Sequence, residues 1–256
     1  MRVRNLVGLC LVILVAGACS AAHAATMIVN GDFEDTSGTF PNGWTVDSTS
    51  ATQESTTTEN QVISGNESLR VSGLSGNVEQ TLDSGFSNFV WSFQWTRPFA
   101  SFTSGQRSMN ATLRQGSALP LINMRAQDID GSTAALEVFQ GTWQNPDGGA
   151  TQVVLQPLTA YTITVTGSGF GTANASYDLS IVGGSLNESF SAVNLFHNAP
   201  TSGELADTVR FTRSTSHGTA TYDNVSLVPV PEPQSLLLVS VLLGVGGVMR
   251  LRRRAD

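Results

Sequence analysis

Short runs in which apolar and polar residues alternate are the feature that most limits what this chain can fold into. Such a run places its apolar side chains on one face of a β-strand, and Thr, Val, Tyr and Phe suit that half-buried surface. Between Thr26 and Val228 no apolar repeat of helical period occurs. The runs predicted as strands are Ser68–Ser72, Phe89–Trp95, Ala111–Arg114, Tyr161–Thr166, Tyr177–Ile181, Thr208–Thr212 and Thr221–Leu227. The chain is therefore predicted to be all-β.

Turn-forming residues separate these runs. Glycine, asparagine, aspartate and proline gather at Pro41–Gly43, Ser64–Asn66, Asp130–Gly131, Pro146–Gly149 and Gly183–Gly184. Many short strands joined by such turns are typical of an antiparallel sandwich or barrel. We expect the polar segment Ser48–Asn60, which has few apolar residues, to be a solvated loop.

Four large aromatic residues occupy alternate positions of one predicted strand, namely Phe89, Trp91, Phe93 and Trp95. An aromatic stripe can stack against sugar rings, but burying each ring in a core contributes roughly 1.5–3 kcal/mol. We therefore expect the stripe to be core. Trp143 sits among loop residues and is the better candidate for a ring that contacts a ligand.

The first 24 residues have the features of a secretory signal peptide. Arg2 and Arg4 give a positive start, Leu6–Ala16 is an apolar run, and Ala22 and Ala24 form a small-x-small cleavage site. We expect the Sec export machinery to carry the chain across the inner membrane and signal peptidase to cut it after Ala24.

A lipoprotein signal cut before Cys19 is the alternative, because Ala16–Cys19 loosely resembles a lipobox that lacks the usual leucine. Cleavage after Ala24 removes both cysteines of the chain, Cys10 and Cys19. The exported body, residues 25–229, can then form no disulfide and depends on its hydrophobic core, although export usually permits disulfides.

The charge of the body limits its partners. The whole chain has a formal net charge of −7 and no lysine. Residues 25–229 contain 7 Arg against 18 Asp and Glu, which gives 7 − 18 = −11. This negative charge disfavours nucleic acid and anionic membrane surfaces as partners, whereas neutral glycans, cations and basic surfaces remain compatible with it.

The last residues predict a short membrane segment. Residues 235–249 are apolar or small, and Arg250, Arg252, Arg253 and Arg254 follow them. A helix of this length rises about 22 Å, less than the bilayer core of about 30 Å, so snorkelling arginines would extend the span. The arginine cluster favours the cytoplasmic side and leaves the body outside.

The segment before this helix carries a recognisable motif. Val230-Pro231-Glu232-Pro233, the apolar segment and the terminal arginines resemble the PEP-CTERM sorting signal of Gram-negative bacteria. Pro231 and Pro233 keep the segment extended and accessible. The same tail motif is also labelled an ice-binding-protein C-terminal domain, a label that by itself says nothing about ice.

The resemblance implies where the protein goes. Residues 230–256 would be read by an exosortase-like transpeptidase that cuts near Pro231, Glu232 and Pro233. The chain would be anchored in the inner membrane for a short time and then reach the cell surface or the extracellular space. Members of this family are commonly tied to exopolysaccharide and biofilm production.

A second resemblance concerns the body. Asn30–Glu34, Pro41–Trp44, Glu67–Val71 and Tyr222–Leu227 are similar to jelly-roll modules of the galactose-binding-like and carbohydrate-binding-module type. The middle of the body could equally resemble a concanavalin-A-like or laminin-G-like sandwich. Both resemblances imply a two-sheet antiparallel jelly-roll sandwich.

The carbohydrate-binding resemblance also implies a structural calcium site. Asp32, Glu34 and Asp223 would supply hard oxygen ligands that join the first and last strands of the domain. The alternative is that Asp32 and Asp223 cap turns while Glu34 is simply exposed.

The residues do not favour catalysis. The exported body contains only His197 and His217, and no Gly-x-Ser-x-Gly nucleophile motif occurs. Asp128 and Asp130 are read as part of a turn or of a loose cation site. We predict a non-catalytic envelope or matrix protein associated with exopolysaccharide. The alternatives are a lectin-like module with a defined glycan and an envelope hydrolase.

Overall fold

The computed structural model describes residues 26–37, 40–46, 51–55, 62–73, 76–99, 105–116, 120–193, 203–213 and 218–231. These residues form β-strands joined by turns. The strands are β1 (Thr36–Ser37), β2 (Phe40–Pro41), β3 (Thr45–Val46), β4 (Ala51–Ser55), β5 (Leu69–Gly73), β6 (Gly76–Phe86), β7 (Phe89–Thr96), β8 (Arg107–Arg114), β9 (Pro120–Asp128), β10 (Ala134–Phe139), β11 (Trp143–Gln144), β12 (Val153–Leu155), β13 (Tyr161–Ser168), β14 (Ser176–Gly183), β15 (Leu186–Val193), β16 (Ala206–Arg213) and β17 (Ala220–Pro229).

The strands form two large antiparallel sheets and one small hairpin. Sheet I has the order β11-β10-β9-β8-β16-β6-β3, with β12 also paired to β10. Sheet II has the order β15-β14-β13-β7-β17-β5-β4, and β1 pairs with β2. From β5 to β8 successive strands alternate between the two sheets. The fold is the two-sheet antiparallel jelly-roll sandwich that the sequence predicts.

The core lies between the sheets, and strands such as β7 and β13 alternate buried residues with more exposed ones. In β7 the buried residues are Phe89, Trp91, Phe93 and Trp95, each 0 % exposed. The ring of Phe93 lies 5.7 Å from that of Phe211 on β16 of the other sheet. The prediction that the aromatic stripe is core is therefore confirmed.

Each of the seven strands predicted from alternation overlaps an observed one, namely β5, β7, β8, β13, β14, β16 and β17. The expectation that Ser48–Asn60 is wholly a loop is wrong, because Ala51–Ser55 forms β4 and pairs with β5. β4 ends the strand order of sheet II, and its backbone pairing does not require apolar side chains.

The first described residues lie beside the last strand. Met27 N donates to Leu227 O at 2.8 Å, and Val225 N donates to Gly31 O at 2.8 Å. Thr26–Pro229 forms one compact unit. The predicted signal peptide and the predicted helix at 235–249 lie outside the described residues. Among the described residues, no helix is long and apolar enough to cross a membrane.

Candidate functional site

The segments Asn30–Glu34 and Pro41–Trp44, which we call the opening motif, contribute two aromatic residues to the core. Phe33 is 0 % and Trp44 is 8 % exposed, and their rings lie 5.3 Å apart. Trp44 stacks at 5.9 Å on Phe211 of sheet I and donates from Nε1 to the Asn30 carbonyl at 3.2 Å. These two motif residues therefore belong to the hydrophobic core, and their contacts are structural.

Glu34 projects from this motif onto the loop between β4 and β5. Its Oε1 accepts hydrogen bonds from Asn66 N at 2.7 Å and from Glu67 N at 3.1 Å. These backbone donors, that of Glu67 first, hold the pKa of Glu34 below its ordinary value. Gly65 has φ +64°, and a Cβ on it would clash with the Glu34 carboxylate. The glycine therefore permits this contact.

Asp223 on β17 holds the same loop from inside the protein. Its Oδ2 accepts from Ser64 N and from Ser68 Oγ, both at 2.9 Å, and its Oδ1 accepts from Asn224 N at 2.7 Å. Burial raises the pKa of Asp223 to about 6, and the nearby charge of Glu34 adds to this rise while the hydrogen bonds oppose it.

The structure brings two of the three predicted calcium ligands to one loop. Glu34 and Asp223 both accept hydrogen bonds from residues of this loop, whereas Asp32 is exposed. The two carboxylates face N–H and O–H donors, an arrangement that satisfies them without a cation. Among the described residues, no group of three or more His, Cys, Asp or Glu side chains is placed to hold a metal ion. Calcium binding stays a prediction.

A broad array of polar side chains projects from the side of sheet I that faces away from the core. Three of its members are buried, namely Thr112, Arg125 and Thr208. Their neighbours along each strand, such as Leu113, Met124 and Val209, are buried in the core, so the array points away from it. We name this array the polar face. Its rows across the strands are Asn123–Thr112–Arg210–Glu79–Thr45, then Glu137–Arg125–Asn110, then Gln127–Arg107, and then Arg114–Thr208–Thr81.

Ion pairs fix the charged side chains of the polar face. Arg125 Nε donates to Glu137 Oε2 at 2.6 Å, and Arg210 pairs with Glu79 on the neighbouring strand. The Arg125 and Arg210 side chains are only 11 % and 14 % exposed. They therefore lie along the sheet rather than extending into solvent, and their guanidinium groups are held in place.

Trp143 lies at the edge of this array, in β11 beside Phe139. The guanidinium carbon of Arg125 is 4.1 Å from the Trp143 ring centroid, and the Phe139 ring meets Trp143 edge-on at 5.3 Å. The ring is half-buried, not in an open loop as the sequence suggests. Sequence reasoning singled out Trp143 but missed the arginines around it, because their register depends on distant strands.

Asp128 and Asp130 have different roles despite their spacing. Asp130 accepts from Ser132 N at 2.8 Å and Thr133 N at 2.7 Å, so it caps the predicted turn, and these donors lower its pKa. Asp128 is buried and accepts from Arg97 Nη1 at 2.6 Å. The sequence did not predict this ion pair.

Two residues of the predicted sorting signal belong to the described part of the chain. Val230 and Pro231 follow β17 and are exposed. The other predicted signal residues, Ala22, Ala24, Glu232, Pro233, Arg250, Arg252, Arg253 and Arg254, lie outside the described residues.

No protein-family model and no curated protein sequence matches this chain. Among solved structures, alginate lyase vAL-1 from Chlorella virus is 10 % identical with a TM-score of 0.43, and the match covers 74 % of this chain and 94 % of that one. The cellulose induced protein Cip1 is 16 % identical with a TM-score of 0.47, covering 78 % and 96 %. The marine PL-14 alginate lyase from Aplysia kurodai is 10 % identical with a TM-score of 0.46, covering 81 % and 98 %. The likeness is one of chain fold alone.

Proposed function

We propose that this chain is an exported, non-catalytic protein of the cell envelope or of the matrix outside the cell, and that its sandwich binds a glycan of an exopolysaccharide. The observation that carries the proposal is the longest row of the polar face. There, amide, hydroxyl, guanidinium and carboxylate groups from five adjacent strands lie side by side. Sugar hydroxyls both donate and accept hydrogen bonds, so a mixed row of this kind suits them.

The rigidity of the polar face supports binding. Its side chains stand on strands, which hold binding groups in position better than loops do. Trp143 adds aromatic surface at one edge, where the apolar side of a pyranose ring can pack. The two carboxylates of the face, Glu79 and Glu137, each pair with an arginine, which supports a binding role rather than a hydrolytic one.

Sorting by a PEP-CTERM system is the second part of the proposal. Val230 and Pro231, which follow β17, are exposed, and an exosortase-like transpeptidase needs an accessible segment of this kind. In this scheme the Sec machinery and signal peptidase act first. The tail then anchors the protein in the inner membrane for a short time, before cleavage delivers it to the cell surface or the extracellular space.

Glycan binding is tested with the full chain purified in detergent and a panel of neutral and acidic bacterial exopolysaccharides, each with calcium and with chelator. We expect saturable binding that Trp143→Ala weakens. Phe99→Ala is the matched control, because Phe99 is an exposed aromatic outside the polar face, at 40 % exposure. Saturation by one glycan only would make the protein lectin-like. If no member of the panel binds, the glycan part of the proposal is wrong.

Sorting is tested separately in the producing cells. A variant with Pro231→Ala, Glu232→Ala and Pro233→Ala is expected to accumulate untrimmed in the inner membrane fraction. A variant that is trimmed and exported like the unchanged protein would overturn the sorting proposal and leave the glycan proposal untouched.

A further inference from the structure

We propose that the glycan bound by the polar face is acidic, and that Arg107, Arg114, Arg125 and Arg210 select it by pairing with its anionic groups. This inference rests on the proposed glycan-binding function and names the chemical class of the ligand.

The distribution of arginine is the first observation. The body as a whole has 7 Arg and 18 Asp or Glu. Four of these seven arginines stand in the rows of the polar face, on the adjacent strands β9, β8 and β16. The same rows contain two acids, Glu79 and Glu137, so their formal charge is 4 − 2 = +2. A local positive face on a strongly acidic domain attracts an anionic ligand to that one surface.

Two of the arginines already hold a carboxylate of the chain itself. Arg125 donates from Nε to Glu137 Oε2, and Arg210 donates from Nε to Glu79 Oε2. A guanidinium has five N–H donors in a planar fork, and one carboxylate oxygen occupies only one or two of them. The remaining donors of Arg125 and Arg210 can therefore bind a ligand carboxylate while the internal pairs keep the forks in place.

The arginines also affect one another. Burial lowers the pKa of Arg114, and the positive charge of Arg210 lowers it further. Burial likewise lowers the pKa of Arg125, where Glu137 opposes the effect and the charge of Arg107 adds to it. An anion bound among these groups would relieve their repulsion and replace the hydration that each has lost. The amides between them, from Asn110 and Asn123, are partly exposed and suit the uncharged part of a sugar.

The test compares polygalacturonate, an acidic polymer, with dextran, a neutral one, on the full chain in detergent. Arg107→Gln and Arg114→Gln are each expected to weaken polygalacturonate binding by about tenfold. Arg70→Gln is the matched control, since it removes the same charge from β5 in sheet II, and we expect its effect to stay within about twofold. Raising the salt concentration should weaken binding of polygalacturonate by the unchanged protein, a readout that does not depend on any variant folding.

The possible results separate the inference about acidic glycans from the proposal that the protein binds glycans at all. Preference for polygalacturonate that depends on Arg107 and Arg114 supports the inference. Equal binding of dextran and polygalacturonate, or an equal loss in Arg70→Gln, overturns the acidic class while glycan binding stands. If neither polymer binds at low salt, and the wider panel also fails, both the inference and the proposed function are wrong.

Discussion

Arg97, directly after β7 of sheet II, donates a 2.6 Å hydrogen bond from Nη1 to Oδ1 of Asp128 at the end of β9 in sheet I. The two side chains are 1 % and 0 % exposed, so the ion pair links the sheets out of contact with water. Burial lowers the pKa of Arg97 and raises that of Asp128, and each partner's charge opposes the shift of the other.

Asp128→Ala is expected to lower the free energy of unfolding by about 3–5 kcal/mol, because it leaves the buried guanidinium of Arg97 without its counter-charge. Urea unfolding followed by tryptophan fluorescence measures this loss. The double variant Arg97→Met with Asp128→Leu removes both charges and should lose clearly less. An equal loss in the single and double variants would mean that packing, not charge, dominates at this position.

Ser68→Ala tests the loop that Asp223 holds. The hydroxyl of Ser68 donates to Asp223 Oδ2 at 2.9 Å and accepts from Ile63 N at 2.9 Å. Removing it leaves the buried carboxylate with one donor fewer, which should cost about 1–3 kcal/mol of unfolding free energy. Ser189→Ala on β15, where the serine is exposed, is the control and should change stability by no more than about 0.5 kcal/mol.

The Asp223 carboxyl should titrate with a pKa of about 6, well above that of an ordinary aspartate. Its pKa is raised from 3.8 to about 6, so between these values the folded protein binds a proton that the unfolded chain has lost. The stability that this group contributes is therefore full below pH 3.8 and is lost as the pH rises through about 6. Carbon NMR of the side-chain carboxyl groups should find the midpoint of the Asp223 titration near pH 6. In Asp223→Asn, the free energy of unfolding should depend less on pH over this range.

The same titration tests the predicted calcium site. A calcium ion bound to the Asp223 carboxylate would favour its charged form and lower the midpoint. A midpoint that stays near 6 when calcium is added would contradict the calcium prediction for Asp32, Glu34 and Asp223. Glu34 does not obscure the result, because its pKa is shifted in the opposite direction, below 4.5.

The sequence predicted strands where one face of the strand is buried and the other is polar. β7 and β13 are of this kind, and their alternation is visible without any neighbours. β9 was missed because apolar and polar residues do not alternate through Leu121 and Ile122, both of which are buried. β6 was missed because much of it is polar and it begins with glycine. A local sequence pattern does not identify a strand when contacts with distant residues decide which of its side chains are buried.

The polar face could not be predicted for a different reason. Arg210 stands beside Thr112 only because β16 pairs with β8, a partner about a hundred residues earlier in the chain. The motif residues Phe33 and Trp44 were recognised by resemblance, but their role in the core required the ring of Phe211 to be in place. Which strands become neighbours is a property of the folded chain. A binding surface formed by several strands therefore cannot be predicted from the local sequence of any one of them.

Gly167→Ala should destabilise the sandwich through a single contact. Gly167 on β13 lies opposite Phe89 on β7, and a Cβ at Gly167 would come within 2.6 and 2.7 Å of the Phe89 Cε1 and Cε2 atoms. The Phe89 ring is also held edge-on at 4.9 Å by Phe170, so it cannot move aside without loss of packing. We expect a loss of about 1–3 kcal/mol in urea unfolding, as for other overpacked cores. The neighbouring change Ser168→Ala, at an exposed position, should have little effect. If Gly167→Ala remains destabilised to the same extent when Phe89→Leu is added, the ring contact is not the cause.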